Sequence, residues 1–139
     1  FDADLVGETG INAALCGHYG CPVLLVTGDT AVCREATTLL GDNLTTVAVK
    51  HGLSRFSARQ IPPVRARLMI ENGAKASLQD LNAVKPYVPT VPTTITIELS
   101  TVDNADEFRG RYGVEIVEPL KVVSKGEDWM QAWNQIWHY

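Results

Sequence analysis

The sequence has few cysteines, no long hydrophobic run and no excess of positive charge. Its three cysteines, Cys16, Cys21 and Cys33, are odd in number, which is unlike a secreted disulfide framework. They form no C-x-x-C pair, which argues against a thiolate zinc site. No apolar run approaches the roughly 20 residues that a helix needs to cross a bilayer. The net charge of -4 argues against a nucleic-acid-binding surface. We therefore expect a cytoplasmic globular protein that binds neither nucleic acid nor membrane.

The chain begins at Phe1 without an initiator methionine, and its first residues lack the basic start and apolar stretch of a signal peptide. We therefore expect a further segment of the protein upstream of Phe1. The 139 residues themselves suit one domain, or one domain followed by a small second one.

Several common catalytic and nucleotide-binding motifs are absent as well. The sequence has no G-x-S-x-G elbow, no G-x-x-x-x-G-K-[ST] loop and no H-E-x-x-H zinc helix. Its histidines are His18, His51 and His138, and only His51, which follows a predicted strand, is a candidate local base. The chain thus offers no complete acid–base or nucleophilic set, and we predict no catalytic residue within it.

The first half of the sequence alternates strand and helix signals. The apolar run 23–26 is typical of a buried parallel strand, and the β-branched stretch 45–50 predicts a second strand. A helix capped by Asp29 or Thr30 lies between them, so a right-handed parallel crossover is expected. The other elements predicted in this half are a strand ending at Leu5-Val6, a helix over 10–17, a loop or short helix over 51–61, and a helix from Pro62-Pro63 to Leu81.

A proline-rich segment, 85–92, precedes a different pattern. Ile95, Ile97 and Leu99 alternate with polar residues, as in a half-buried antiparallel strand. Further elements are predicted at 103–109 (helix), 114–117 and 121–123 (strands), and from Glu127 (helix). The last helix carries Trp129, Trp133 and Trp137 in one stripe, which packs the small domain or forms an oligomer contact.

These patterns predict an α/β fold with two parts. Residues 1–84 are expected to form part of a parallel three-layer sheet domain. Residues 85–139 are expected to form a small α+β domain that the tryptophan stripe closes.

Two carboxylates lie where open α/β sheets bind ligands, at the carboxyl ends of predicted parallel strands. Glu8 lies between Gly7 and Gly10, which let the backbone bring its side chain into a crevice. It can also be an acid that the helix dipole favours at a helix start. Asp29 follows the 23–26 strand and can equally be a helix N-cap.

Residues 7–13, Gly-Glu-Thr-Gly-Ile-Asn-Ala, resemble the signature G-E-x-G-[IL]-N-A of the D-aminopeptidase family, the DppA-like dipeptide transport proteins. Further matches to the family follow in the same order: 19–23, 25–29, Ala31, Val32, Cys33, Glu35, Val49, Lys50, Arg55, Ser57 and Ala58. The tail from Pro92 to Trp129 fits the smaller second domain of that family. The resemblance covers nearly the whole chain and identifies it as the C-terminal half of such a protein.

The resemblance implies a two-zinc aminopeptidase that acts on short peptides with an N-terminal D-residue. In that family the glutamate of the signature is a zinc ligand, which corresponds to Glu8. The other family ligands, an S-x-D-x-E-G block and two histidines, lie upstream of the signature, as does the histidine proposed for catalysis. The resemblance also implies two zinc ions per complete subunit. It further implies assembly into a homo-oligomeric ring of dimers. The missing N-terminal half of the same protein is therefore an expected partner.

Three further residues are expected near the site as substrate-binding or orienting groups: Asn12, Asp29 and Lys50. Asn12 can instead form a helix hydrogen bond, and Lys50 can be a simple strand-end charge. A rival hypothesis is a non-catalytic α/β module that binds a small ligand in the same crevice, or that assembles through the tryptophan stripe.

Overall fold

The computed structural model describes residues 5–137, so His138 lies outside the described part of the chain. These residues form two compact units, one over 7–87 and one over 88–137 together with 5 and 6. In chain order the elements are α1 (Glu8–His18), β1 (Leu25–Asp29), α2 (Thr30–Leu40), β2 (Thr45–Ser54), β3 (Ser57–Gln60), α3 (Pro63–Ser77), β4 (Thr93–Glu98), α4 (Val102–Asp106), β5 (Val114–Glu118), β6 (Lys121–Gly126) and α5 (Trp129–Ile136). The predicted α/β fold is confirmed. The assignment of 1–84 and 85–139 to two domains stays a prediction.

The larger unit contains a three-stranded sheet in the order β1-β2-β3. β1 and β2 are parallel, with Leu25 opposite Thr45, and α2 forms the predicted crossover between them. β2 and β3 are antiparallel, with Lys50 opposite Gln60. The sheet of this unit is therefore mixed, whereas the sequence predicted a parallel one.

Helices cover both faces of this sheet. A methyl group placed on Gly73 of α3 would lie 2.6 Å from Val47 and 3.5 Å from Leu25, so α3 packs on the face that these side chains share. Gly28 is on the opposite face, because side chains alternate along a strand, and it lies against Val32 of α2.

The α2 side of the sheet contains a hydrophobic core. Ala36, Leu44 and Val84 are buried there. Residues of the predicted apolar run pack against them together with neighbours from α2 and the later chain: Val23, Leu24, Val26, Leu40 and Ala83. Burying this surface is the main favourable term for the crossover, since each fully buried aliphatic side chain contributes about 1.5–3 kcal/mol.

The segment 51–61, predicted as a loop or short helix, is instead a β-hairpin made of the end of β2 and β3. Ser54 and Ser57 close it through their hydroxyl groups, which are 2.7 Å apart. The two-residue loop Arg55-Phe56 has neither glycine nor asparagine, the usual hairpin turn signal. Residues 50–60 are all exposed, so no apolar alternation marks the strands. The prediction was wrong because both sequence signals of a hairpin are missing.

Two other predicted elements differ from the structure. Leu5 and Val6 are not in a strand, and the sheet of the larger unit contains β1, β2 and β3 alone among the described residues. A strand needs a hydrogen-bonded neighbour, and the described structure provides none for Leu5 and Val6. Helix α3 ends at Ser77 and not at Leu81. At this end the Ser77 hydroxyl donates a hydrogen bond of 3.0 Å to the carbonyl of Ala74.

The smaller unit contains an antiparallel sheet in the order β4-β6-β5. Helix α5 is joined to β6 by the buried Ser124 hydroxyl, which donates to the carbonyl of Ala132 at 2.9 Å. The indoles of the tryptophan stripe stack in sequence, with ring centroids 5.4 Å apart in each pair. Trp129 is 3% exposed, whereas Trp137 is 50% exposed. The stripe thus packs the unit through its first member and presents its last member to solvent.

None of the helices within residues 5–137 is both long enough and apolar enough to cross a membrane.

The close approach of α1 to Tyr87 gives a stability prediction. A methyl group on Gly17 would overlap the backbone carbonyl of Tyr87, which cannot rotate away. We expect Gly17→Ala to lower the free energy of unfolding by about 2 kcal/mol or more. Urea titration of the 139-residue chain, followed by circular dichroism, measures this change.

Gly73→Ala is the matched control. It is also a helical glycine, but the atom nearest to an added methyl group is a side-chain carbon of Val47 at 2.6 Å and not a backbone carbonyl, so the overlap is smaller. A gain in helix propensity of up to about 1 kcal/mol also offsets part of the crowding. Equal losses of unfolding free energy in the two variants would contradict the packing described for Gly17.

Candidate functional site

Glu8 is the first residue of α1, and its side chain is exposed. The preceding Gly7 is the N-cap, in an extended conformation (φ -88°, ψ -165°), and its carbonyl accepts from the N–H groups of Gly10 (3.1 Å) and Ile11 (3.2 Å). The structure therefore presents the Glu8 carboxylate at the positive end of the helix dipole. An exposed acid at this place can take a cation or a hydrogen-bond donor from outside the chain.

Asn12 follows Glu8 by one helical turn on the same side of α1, because residues at i and i+4 are neighbours on a helix. Its side chain is exposed and forms no hydrogen bond within the part of the chain that the structure describes. The helix hydrogen bond expected as an alternative is therefore not formed within residues 5–137. A role of Asn12 beside Glu8 stays a prediction.

Asp29 ends β1 and caps α2. Its Oδ1 atom accepts from the backbone N–H groups of Ala31 (2.9 Å) and Val32 (2.8 Å), which is the N-cap arrangement expected as one alternative. The Val32 hydrogen bond is the main cause that lowers the pKa of Asp29, and the nearby charges of Lys50 and His51 lower it further. The carboxylate therefore stays ionised to a lower pH than an unperturbed aspartate does.

Lys50 lies on β2 opposite Asp29, where the register shifts between Gly28 and Asp29. The next residue, His51, places its Nδ1 atom 2.9 Å from the hydroxyl oxygen of Thr30. The structure thus brings Asp29, Lys50, Thr30 and His51 together at the carboxyl end of β1. This is the edge at which open α/β sheets bind ligands.

Glu35, on α2, is a residue that sequence reasoning did not place near the candidate site. Its Oε1 atom accepts a hydrogen bond of 3.3 Å from the backbone N–H of Gly7, the residue before Glu8. The two residues are 28 positions apart in the sequence. Glu35 is one of the residues that match the family pattern, but that match does not indicate a contact with Gly7. Nothing in the periodicity of either helix signals the contact.

The predicted site residues therefore fall into two pairs, Glu8 with Asn12 on α1, and Asp29 with Lys50 at the β1 edge. No hydrogen bond or ion pair joins the pairs within residues 5–137. In the same range, no three His, Cys, Asp or Glu side chains are arranged to hold a metal ion. A zinc ion needs about four ligands, so the described residues do not make a zinc site by themselves.

The cap at Asp29 gives a stability prediction. We expect Asp29→Ala to lower the melting temperature of the chain by several degrees, because two N–H groups in the first turn of α2 lose their acceptor. Asp29→Asn keeps an acceptor but loses the charge, so near pH 7 its melting temperature should lie between those of the wild type and Asp29→Ala. Thermal melts followed by circular dichroism measure both. A melting temperature for Asp29→Ala equal to that of the wild type would contradict the capping role.

The lowered pKa of Asp29 also predicts how the stability difference between the wild type and Asp29→Asn depends on pH. A carboxylate whose pKa is lower in the folded state stabilises the fold above its unfolded pKa of about 3.9, and this contribution is lost as the pH falls below that value. Any advantage of the wild type over Asp29→Asn should therefore shrink between about pH 5 and pH 3. A difference in melting temperature that is constant over this range would show that the Asp29 charge is not involved.

Comparison with known proteins identifies the family. The model of the D-aminopeptidase family, peptidase M55, matches residues 1–138. A D-aminopeptidase of Bacillus subtilis is 33% identical over 130 residues, which are 93% of this chain and 47% of that protein.

A solved structure gives the same result. The Zn-dependent D-aminopeptidase DppA from Bacillus subtilis, described as a self-compartmentalizing protease, is 30% identical with a TM-score of 0.89, over 97% of this chain and 49% of that one. The chain thus spans about half the length of the relatives that it matches. The predicted family is confirmed, and this chain belongs to the D-aminopeptidase family.

Proposed function

We propose that the chain is part of a zinc-dependent aminopeptidase that removes N-terminal residues, D-residues in particular, from short peptides. The proposal rests mainly on Glu8, an exposed carboxylate at the first position of α1 within the family signature. Family membership and the likeness to a Zn-dependent D-aminopeptidase support it. In this proposal Glu8 is a zinc ligand.

We propose two zinc ions per complete subunit. Zinc would activate a water molecule and polarise the scissile carbonyl group. This chain contributes one carboxylate, Glu8, and the other ligands and the catalytic histidine come from the N-terminal half of the same protein. Asn12, Asp29 and Lys50 act as substrate-binding or orienting groups. One carboxylate cannot hold two zinc ions, so the 139-residue chain alone is inactive.

Self-association into a ring of dimers is also proposed, and the description of the solved relative as self-compartmentalizing supports it. A cytoplasmic location is proposed because Cys16, Cys21 and Cys33 are all free thiols, as expected in a reducing compartment.

The test compares the 139-residue chain with the full-length protein, which in this proposal also carries the N-terminal half. We expect no zinc-dependent release of D-alanine from a D-alanyl peptide by the chain alone. The full-length protein should bind two zinc ions per subunit, and Glu8→Ala should weaken zinc binding and lower kcat/KM at least about 100-fold. Metal analysis and amino-acid release measure these effects.

Glu71→Ala is the control, because it removes an exposed carboxylate on α3 that pairs with Lys75. It should leave zinc content and activity unchanged. Zinc-dependent activity from the 139-residue chain would contradict the incomplete site. A metal-free full-length protein, with a stability that Glu8→Ala does not change, would instead support the non-catalytic binding or assembly module.

A further inference from the structure

The Glu8 side chain has no hydrogen bond or ion pair with the residues that the structure describes, so its direction depends on how the backbone of α1 begins. The start of α1 has no side-chain cap, because the N-cap is Gly7. Helix starts without a cap fray easily, since their first N–H groups have no partner in the helix. A metal ligand at such a position needs another element to fix it.

Glu35 of α2 provides that contact from outside the helix. Its Oε1 atom accepts from the Gly7 N–H at 3.3 Å, while the Gly7 carbonyl is held by Gly10 and Ile11 of α1. The residue that precedes Glu8 is therefore bonded through both its N–H and its carbonyl group. Because the acceptor lies on α2, the bond ties the start of α1 to the crossover helix.

The fit at Gly7 shows how close the carboxylate lies. A methyl group on Gly7 would be 3.0 Å from Oε1 and 3.6 Å from Oε2 of Glu35. The φ of -88° at Gly7 is open to any residue, and the atoms nearest to an added methyl group belong to the end of an exposed side chain, so an alanine here needs a shift of the Glu35 carboxylate.

The acceptor of this bond is an acidic side chain. Glu35 forms no ion pair among residues 5–137, and its hydrogen-bonded partner is the Gly7 N–H near the positive end of the α1 dipole. An ionised acceptor makes a stronger bond to an N–H than a neutral one does. An amide at position 35 would keep the geometry and lose part of this strength.

We propose that Glu35 is a positioning residue for Glu8. It acts through the Gly7 N–H and fixes the first turn of α1, so that the Glu8 carboxylate is held in one place. The effect of Glu35 on zinc binding rests on the proposed function, whereas its effect on the order of Glu8 does not. Metal sites need their ligands held within about 0.5 Å, and loss of a group that orients a ligand weakens metal binding by about 10- to 100-fold.

The first experiment is nuclear magnetic resonance on the 139-residue chain without metal. Glu35→Ala should change the amide shift of Gly7 and lower the backbone order parameters of Gly7 and Glu8 from about 0.85 to below about 0.6. Glu35→Gln should retain most of the order, because its amide oxygen can accept the same bond. Glu71→Ala, the matched loss of an exposed carboxylate, should change neither residue. Unchanged Gly7 signals in Glu35→Ala would overturn the proposal.

A double-mutant cycle tests whether the effect passes through Gly7. Gly7→Ala should shift the Glu35 carboxylate by a few tenths of an ångström, weaken its bond to the Gly7 N–H and reproduce part of the disorder at Glu8. If the two residues act through one contact, Gly7→Ala combined with Glu35→Ala should be no more disordered than Glu35→Ala alone. Additive disorder in the double variant would contradict a shared contact.

The second experiment measures zinc affinity in the full-length protein. Glu35→Ala should weaken zinc binding by about 10- to 100-fold, and Glu35→Gln should restore most of it. Weakened zinc binding with an unchanged Gly7 would mean that Glu35 is itself a ligand, which would overturn the positioning role. If no variant binds zinc while Glu35→Ala still disorders Gly7 and Glu8, the proposed function fails and the positioning of Glu8 stands.

Discussion

The parallel pairing of β1 with β2 is the constraint on which the rest of the larger unit depends. It places Asp29 opposite Lys50, and it requires a crossover, which is α2. That helix is capped by Asp29 at one end, and its Glu35 carboxylate reaches the Gly7 N–H at the start of α1. One strand–helix–strand unit thus contains Asp29 and Lys50 and contacts the start of α1, where Glu8 lies.

The chemistry of the candidate site is limited by the number of its ligands. The described residues contain no group of three side chains suited to a metal ion, and the chain spans about half the length of its relatives. Two zinc ions need several carboxylate and imidazole ligands. A single exposed carboxylate at the start of a helix fits a contribution to a larger site better than a site of its own.

The sequence was most informative where burial creates a pattern. The apolar run 23–26 predicted a strand that overlaps the start of β1 (Leu25–Asp29) and residues that pack against the core, and the motif around Glu8 predicted the family. It was least informative where side chains meet solvent or a distant element. The exposed hairpin after Lys50 has no apolar alternation, and the contact of Glu35 with Gly7 joins residues far apart in the chain. Such contacts arise from packing, which local periodicity does not encode.

The central claim is that Glu8 is a zinc ligand, and a zinc-bound crystal structure of the full-length protein tests it most directly. Anomalous scattering at the zinc edge locates the ions without reference to the protein. The account predicts a zinc ion about 2.0–2.2 Å from a carboxylate oxygen of Glu8. Fully occupied zinc sites that leave Glu8 uncoordinated would contradict it.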